Sequence, residues 1–341
     1  MTRTRVLIVE DSPVVRELLC HIIGSDPRLE VAGVAPSAEQ ALEMLDLVRP
    51  DVISLDIRLP GINGFEATRR IMTQRPTPIV VVSASVESED LKITMNALRA
   101  GALAVVEKPV GSTRPDYEQV ARHLCTQLVI MSQVRVIRQG QPGRAWARRP
   151  SPFRPGRLQA IGIASSTGGP GAVVELLNGL GRGFPLPVLL VQHIAPAFLR
   201  GFADWLGATT PFAVEIVDRP VSLRPGWVYL AAVDRHLWAS AGSAWGDGGD
   251  PICLQRPSGT ILFRSLAQHL GPASLGVVLT GMGEDGADGL LELRRAGGYT
   301  IAEDESTAVV FGMPGAAIRR GAACETLPLG AIAPRLLELV S

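Results

Sequence analysis

Three segments in the second half of the sequence each end an apolar run in a residue able to do covalent or acid–base chemistry. Ser166 lies in Ala164-Ser165-Ser166-Thr167-Gly168-Gly169, where an apolar run over 158–164 gives way to a helical pattern. His193 directly follows the run 188–192, and Asp285 lies in Gly281-Met282-Gly283-Glu284-Asp285-Gly286 after the run 275–280. A serine on a sharp strand-to-helix turn exposes its hydroxyl, as in a G-x-S-x-G nucleophile elbow, here with Ala164 at the first glycine position. Ser165, nearer the strand, is the weaker candidate. Glycines after the serine leave backbone N–H groups free to face an anion. A hydroxyl, an imidazole and a carboxylate at one sheet edge are the set that acyl transfer requires. Singly, each has a duller role: Ser166 or Asp285 as a helix cap, and His193 as a structural histidine like His21, His123, His236 and His269. Their coincidence at strand ends favours chemistry.

The first 110 residues carry a second constellation. Glu10-Asp11 follow the run 6–9, Asp56 follows 52–55, Ser83 follows 79–82, and Glu107-Lys108-Pro109 follow 103–106. Asp11, ahead of Ser12-Pro13, could simply cap a helix, but all of these in register form a site. Three converging carboxylates repel one another unless a cation sits among them, and hard oxygen donors suit Mg²⁺. Glu10, Asp11 and Asp56 are the expected ligands, with Asp56 placed as a nucleophile toward a phosphoryl group. Lys108 would be a point charge on the phosphoryl oxygens, with the Ser83 hydroxyl beside it. Only Lys92 and Lys108 are lysines among 33 basic residues, so retaining one here agrees with that role.

These residues need sheets to align them. Five β-branched runs alternate with helical patterns near 13–24, 37–48, 64–74 and 88–100, which indicates a doubly wound parallel sheet with ligands outside the carboxyl ends of its strands. A closing helix is expected from 116 to about 138. Residues 139–157 hold four prolines and no acid, and seven arginines lie between Arg135 and Arg157, the composition of a solvated connector. A second β/α pattern follows, with helices near 171–180, 196–206, 287–296 and 331–340 and a strand at 299–302. Short runs at 214–217, 227–230 and 252–254 suggest an antiparallel insert spanning 212–263. The expected fold class is α/β: an N-terminal (βα)5 domain over 4–125, a helix extension and flexible linker over 126–156, and a C-terminal, mainly parallel domain with an antiparallel insert over 157–341.

The 341 residues carry 33 basic and 33 acidic side chains, so no net field draws the chain to nucleic acid or an anionic membrane. With 46% hydrophobic and 19% charged residues the composition is globular. The four cysteines lie far apart with no C-x-x-C pair, against a metal knuckle or disulfide framework. No apolar run approaches the ~18 residues of a membrane span, and the run after Met1 is too short for a signal segment. A cytoplasmic protein without direct membrane insertion is expected.

One competing reading uses the same loop. Gly281-x-Gly283-x-x-Gly286 fits G-x-G-x-x-G between a strand and a helix, and Glu303 lies 17 residues on, near the place of a ribose-binding acid. A dinucleotide-binding oxidoreductase domain would follow. Against it, Glu284, Asp285 and Asp288 would repel a pyrophosphate.

Residues 4–125 resemble a response-regulator receiver domain. The matching elements are Glu10-Asp11, the strand ending in Asp56, Pro60-Gly61-Ile62-Asn63-Gly64, Ser83-Ala84 and Lys108-Pro109. The resemblance implies phosphorylation of Asp56 by a histidine kinase, with Mg²⁺ as cofactor. Val106 stands where receivers often carry an aromatic switch residue. Residues 157–341 resemble the catalytic domain of chemotaxis-type protein-glutamate methylesterases, through Ser166-Thr167-Gly168-Gly169-Pro170, Val191-Gln192-His193, Arg256-Pro257-Ser258, the 279–287 segment and Phe311-Gly312-Met313-Pro314. This implies Ser166 as nucleophile, His193 as base, Asp285 orienting it, and the backbone at Thr167 and Met282 as the oxyanion site, with no cofactor in this domain. The implied reaction is hydrolysis of γ-glutamyl methyl esters on the cytoplasmic signalling domain of chemoreceptors, with glutamine deamidation as a side activity. Two departures stand out, Ala164 for the usual glycine and Gly259-Thr260 for an acid-containing stretch. A non-catalytic receiver output module is the remaining alternative.

Overall fold

The computed structural model describes residues 3–83, 88–109, 117–134 and 158–341. The expected linker at 139–157, its arginine-rich run and Ala84 lie outside these residues. The chain divides into two compact units, Met1–Gln141 and Pro142–Ser341.

In the first unit β1 (Thr4–Val9), α1 (Pro13–Ser25), β2 (Leu29–Ala35), α2 (Ala38–Val48), β3 (Val52–Asp56), α3 (Gly64–Gln74), β4 (Ile79–Ser83), α4 (Ser88–Arg99), β5 (Ala104–Glu107) and α5 (Tyr117–Met131) alternate. The five strands form a parallel sheet in the order β2-β1-β3-β4-β5. Residues Val6–Val9, Val52–Asp56 and Ile79–Ser83 are buried throughout, as strands covered on both faces must be. The strand order reverses between β1 and β3, where a crevice opens at the carboxyl edge, and Glu10, Asp11 and Asp56 lie there. The described part of the closing helix stops at Met131, seven residues short of the expected end.

The second unit contains β6 (Ala160–Ser165), α6 (Gly169–Leu180), β7 (Val188–Gln192), α7 (Leu199–Thr209), β8 (Ala213–Val217), β9 (Val221–Ser222), β10 (Trp227–Ala231), β11 (His236–Ser240) and β12 (Ser243–Asp247). There follow α8 (Gly259–His269), β13 (Ser274–Val278), α9 (Ala287–Arg295), β14 (Tyr299–Glu303), α10 (Met313–Arg319), β15 (Glu325–Leu327) and α11 (Leu329–Val340). Seven strands form a parallel sheet ordered β15-β14-β13-β6-β7-β10-β8, and β11-β12-β9 form a small antiparallel sheet.

The antiparallel insert therefore exists, but two strands assigned to it belong elsewhere. β8 and β10 pair in parallel with each other, and β10 with β7; Val228–Ala231 is buried as an interior parallel strand should be. The third segment, 252–254, is a tight two-residue turn closed by an Ile252–Gln255 bridge, with Cys253 and Leu254 both left-handed. Helix α8 also begins inside the stretch read as strands, its first turn lying before residue 263. Ser258 caps it, and Ile261, Leu262, Phe263 and Leu266 bury one face at helical spacing. Among the described residues no helix is long and apolar enough to cross a membrane.

Candidate active site

β13, β6 and β7 are consecutive in the larger sheet, so the turns leaving them share one edge. Parallel register sets Val278 beside Ala164 and Ser165 beside Gln192, which brings Ser166, His193 and the 281–286 loop to one level. The Ser166 N–H donates to Thr280 O and the His193 N–H to Ser165 O, each at 3.0 Å. Residue 281 has to be glycine, since a Cβ there would lie 2.8 Å from that of Ser166. Gln192, which sequence reasoning did not single out as functional, is buried. Its Nε2 donates to the carbonyl oxygens of Ser166 and His193 at 2.8 and 2.9 Å, and its Oε1 accepts from the Ser165 hydroxyl at 2.7 Å. That amide ties the nucleophile turn to the end of β7 and occupies Ser165, leaving Ser166 with a hydroxyl unpaired among the described residues.

His193 Nε2 lies 2.9 Å from Asp285 Oδ2. Asp285 is only 2% exposed, so its charge needs compensation. The Ser258 hydroxyl and the Gly259 N–H each donate to it at 2.6 Å, and the Thr260 N–H at 3.1 Å. Burial alone would push this carboxyl up, but the bonds from His193, Ser258 and Gly259 outweigh it and hold it below the ordinary aspartate range. Asp285 thus sits at the positive end of α8 and does not cap α9, whose N-cap is Gly286. Nor does Ser166 cap α6, which starts from Gly168 without a side-chain cap. With Nε2 turned to Asp285, Nδ1 is the nitrogen left to take the serine proton. No hydrogen bond joins the Ser166 hydroxyl to His193 among the described residues; such contacts tighten when substrate binds. The backbone N–H groups of Thr167 and Met282 have no acceptor among the described residues. Unspent donors of this kind beside a nucleophile can hold a developing oxyanion.

The two departures noted in the sequence meet here. A Cβ on residue 259 would come within 2.6 Å of Ala164 Cβ, so the glycine at 259 makes room for the methyl group at 164. Ser258 is fully buried, accepts from the Thr260 N–H at 3.1 Å and holds Asp285. Ser258→Ala removes a helix cap and a bond to a buried charge together, and is expected to lower stability by about 1–3 kcal/mol, to be read by denaturant unfolding.

The dinucleotide reading fails on Glu303. Its carboxylate is 0% exposed and is occupied by the Thr280 N–H at 2.7 Å and the Thr307 hydroxyl at 3.0 Å, so no ribose can reach it.

In the first unit, ligand oxygens of Glu10, Asp11 and Asp56 lie within 4.8 Å of one another. Lys108 Nζ bridges Glu10 Oε2 and Asp56 Oδ2, both at 2.8 Å. Burial raises the pKa of Asp56, and burial together with the Asp56 charge raises that of Glu10. Burial opposes the Lys108 charge, yet Asp56 and Glu10 outweigh it and raise its pKa. One ammonium against three carboxylates leaves net negative charge, which fits a divalent cation with oxygen ligands. Asp11 remains exposed at the rim, and the cap of α1 is Ser12. The Ser83 hydroxyl is buried and has no hydrogen-bond partner among the described residues, and Lys108 N–H donates to Ser83 O at 2.9 Å. An orphaned donor beside a lysine suits an added phosphoryl group. Val106 is buried in β5 and offers no ring that could rotate.

Residues 161–336 match the CheB methylesterase family, and residues 6–115 match the response regulator receiver domain. The chain is 56% identical to the protein-glutamate methylesterase/protein-glutamine glutaminase 2 of Paramagnetospirillum magneticum, covering 99% of this chain and 97% of that protein. It is 45% identical to the enzyme of the same name, number 4, of Myxococcus xanthus, covering 97% and 96% respectively. The crystal structure of the CheB methylesterase catalytic domain of Thermotoga maritima aligns with a TM-score of 0.51 at 36% identity, covering 54% of this chain and 99% of that one.

Proposed function

This chain belongs to the CheB methylesterase family, with a receiver domain ahead of the catalytic domain, and from that premise we propose that it hydrolyses glutamyl methyl esters of chemoreceptors through Ser166 under control of Asp56. The observation that carries the site assignment is the His193–Asp285 pair, with four donors on the carboxylate, set beside a serine whose hydroxyl has no partner among the described residues. His193 Nδ1 takes the Ser166 proton as Oγ attacks the ester carbonyl. The oxyanion forms toward the N–H groups of Thr167 and Met282. The protonated imidazole then gives its proton to the departing methoxide, releasing methanol and leaving an acyl-serine. Water, deprotonated by the same nitrogen, releases the glutamate. A primary amide enters the same sequence with ammonia as leaving group, which accounts for the glutaminase half of the relatives' name.

In the receiver, Asp56 is the expected phosphoryl acceptor from a histidine kinase. Glu10, Asp11 and Asp56 would hold Mg²⁺, whose chemistry is to neutralise charge on the transferring phosphoryl oxygens. Lys108 would move from Asp56 Oδ2 to a phosphoryl oxygen, and the Ser83 hydroxyl would gain its missing partner. Phosphorylation adds charge and acceptors at this edge and shifts an equilibrium by its differential stabilisation of two states. The test is methanol release from a methylated chemoreceptor cytoplasmic fragment, with and without a small acyl phosphate. An increase of about 5-fold or more with the phosphodonor is expected; equal rates would remove the control by Asp56.

A further inference from the structure

We propose that Glu303, which no step above uses, is a positioning residue that holds the oxyanion loop and the nucleophile turn together through Thr280. Thr280 is the hub. Its N–H donates to Glu303 Oε2 at 2.7 Å, its carbonyl accepts from the Ser166 N–H at 3.0 Å, and its hydroxyl donates to Thr167 O at 2.9 Å. The same hydroxyl accepts from the Val310 N–H at 2.9 Å. One residue therefore fixes the backbone on both sides of the peptide that joins the nucleophile to Thr167, and it lies two positions before Met282. Among the described residues, the only side chain that accepts from the Thr280 N–H is that of Glu303, at the carboxyl end of β14. Thr307 donates to its other oxygen at 3.0 Å and itself accepts from the Leu329 N–H at 3.0 Å, so the carboxylate is braced from the far side.

A glutamine could supply the same acceptor without being charged, so the acid has a use beyond shape. An ionised acceptor binds an N–H more strongly than a neutral one, by about twofold. The charge comes at a cost, because Glu303 is fully buried and its nearest charged neighbours, Glu175 on α6 and Asp304, are both acids. Helices α9, α10 and α11 and strand β15 also pack on β14. Of their charged groups, Glu292 pairs with Arg264, Asp288 with Arg320, Arg319 with Glu284, Arg335 with Glu325 and Glu338, Arg294 donates to the Gly321 and Ala323 carbonyls, and Arg295 is exposed. Burial accordingly pushes the Glu303 carboxyl up to about 7. A carboxyl raised above its unfolded value contributes no penalty at low pH, and destabilises the fold as pH climbs from about 4.5 through about 7. The ionised, loop-clamping form is thus the less stable one, and the oxyanion loop is firmest on the alkaline side of neutrality.

This rests on Ser166 being the nucleophile, and failure of that reading shows separately, as ester hydrolysis that survives Ser166→Ala. The experiment is the pH dependence of kcat/KM for p-nitrophenyl acetate with the full-length chain, Glu303→Gln and Glu303→Ala. The native acid limb should require two ionisations to be complete, one for the base and one for Glu303, whereas Glu303→Gln should require one. Glu303→Ala should lower kcat by about 10- to 100-fold with little change in KM, and Glu303→Gln, a neutral acceptor like the protonated acid, should recover only part of that loss, by the same factor on either side of neutrality. Two results overturn the proposal: a Glu303→Gln profile that keeps both ionisations, or a Glu303→Ala protein whose kcat equals the native value. If Glu303→Ala does not fold, the Glu303→Gln profile alone decides.

Discussion

Ser166→Ala is expected to lower methanol release from a methylated chemoreceptor fragment by roughly 10⁴-fold or more, and His193→Ala by a comparable factor. The nucleophile and its base act on one proton, so removing either leaves only binding and the Thr167 and Met282 donors to stabilise the transition state. Ser166→Ala opens no core, because Ser166 is partly exposed at the sheet edge, and it should keep the native unfolding transition, whereas His193→Ala also removes a donor from the buried Asp285 carboxylate and should lower stability somewhat. Asp285→Asn should cost less, about 10²- to 10⁴-fold in kcat, but it should also destabilise. The Ser258 hydroxyl and the Gly259 and Thr260 N–H groups all converge on that carboxylate, and an amide offers them a single oxygen. A serine-reactive phosphonate should label the native protein at Ser166 and fail on Ser166→Ala. Undiminished methanol release by Ser166→Ala would end the triad assignment.

Asp56→Asn should abolish phosphoryl uptake from a small acyl phosphate, measured as acid-labile incorporation, and with it any stimulation of the esterase. The amide nitrogen and oxygen are far poorer nucleophiles than the carboxylate, and the variant also loses the Asp56–Lys108 ion pair at 2.8 Å. Lys108→Ala should retain uptake better than it retains stimulation, since the nucleophile survives while the charge that reads the phosphoryl group does not. Incorporation on Asp56→Asn at an acid-stable, hydroxyl-linked site would overturn the receiver assignment. Basal ester hydrolysis should be unaffected in Asp56→Asn, which separates this result from damage to Ser166.

The sequence by itself determined the strands that carry both sites. Runs such as 79–82 and 188–191 are apolar throughout, the mark of a strand covered on both faces, and a chemically active residue just past such a run has to emerge at the carboxyl edge. Ser166, His193, Asp285, Asp56 and Lys108 were legible for that reason. Local pattern does not specify pairing. β8 and β10 read in sequence as short strands of the antiparallel insert, yet they join the parallel sheet, because the partner of a parallel strand is chosen by contacts across long separations. Helix α8 was hidden by the turn signals around 252–258, although Ser258 followed by apolar residues at helical spacing was a usable cue. Only the tertiary structure decided that α8 would point its free N–H groups at Asp285, that this carboxylate would face His193 Nε2, and that Gly259 would accommodate Ala164. Those outcomes depend on which atoms meet when β13, β6, β7 and α8 pack, and a buried charge takes whatever donors that packing presents. Glu303 is the sharpest case: a carboxylate after a strand reads as a ligand-binding acid in the sequence, and packing against Thr280 turned it inward.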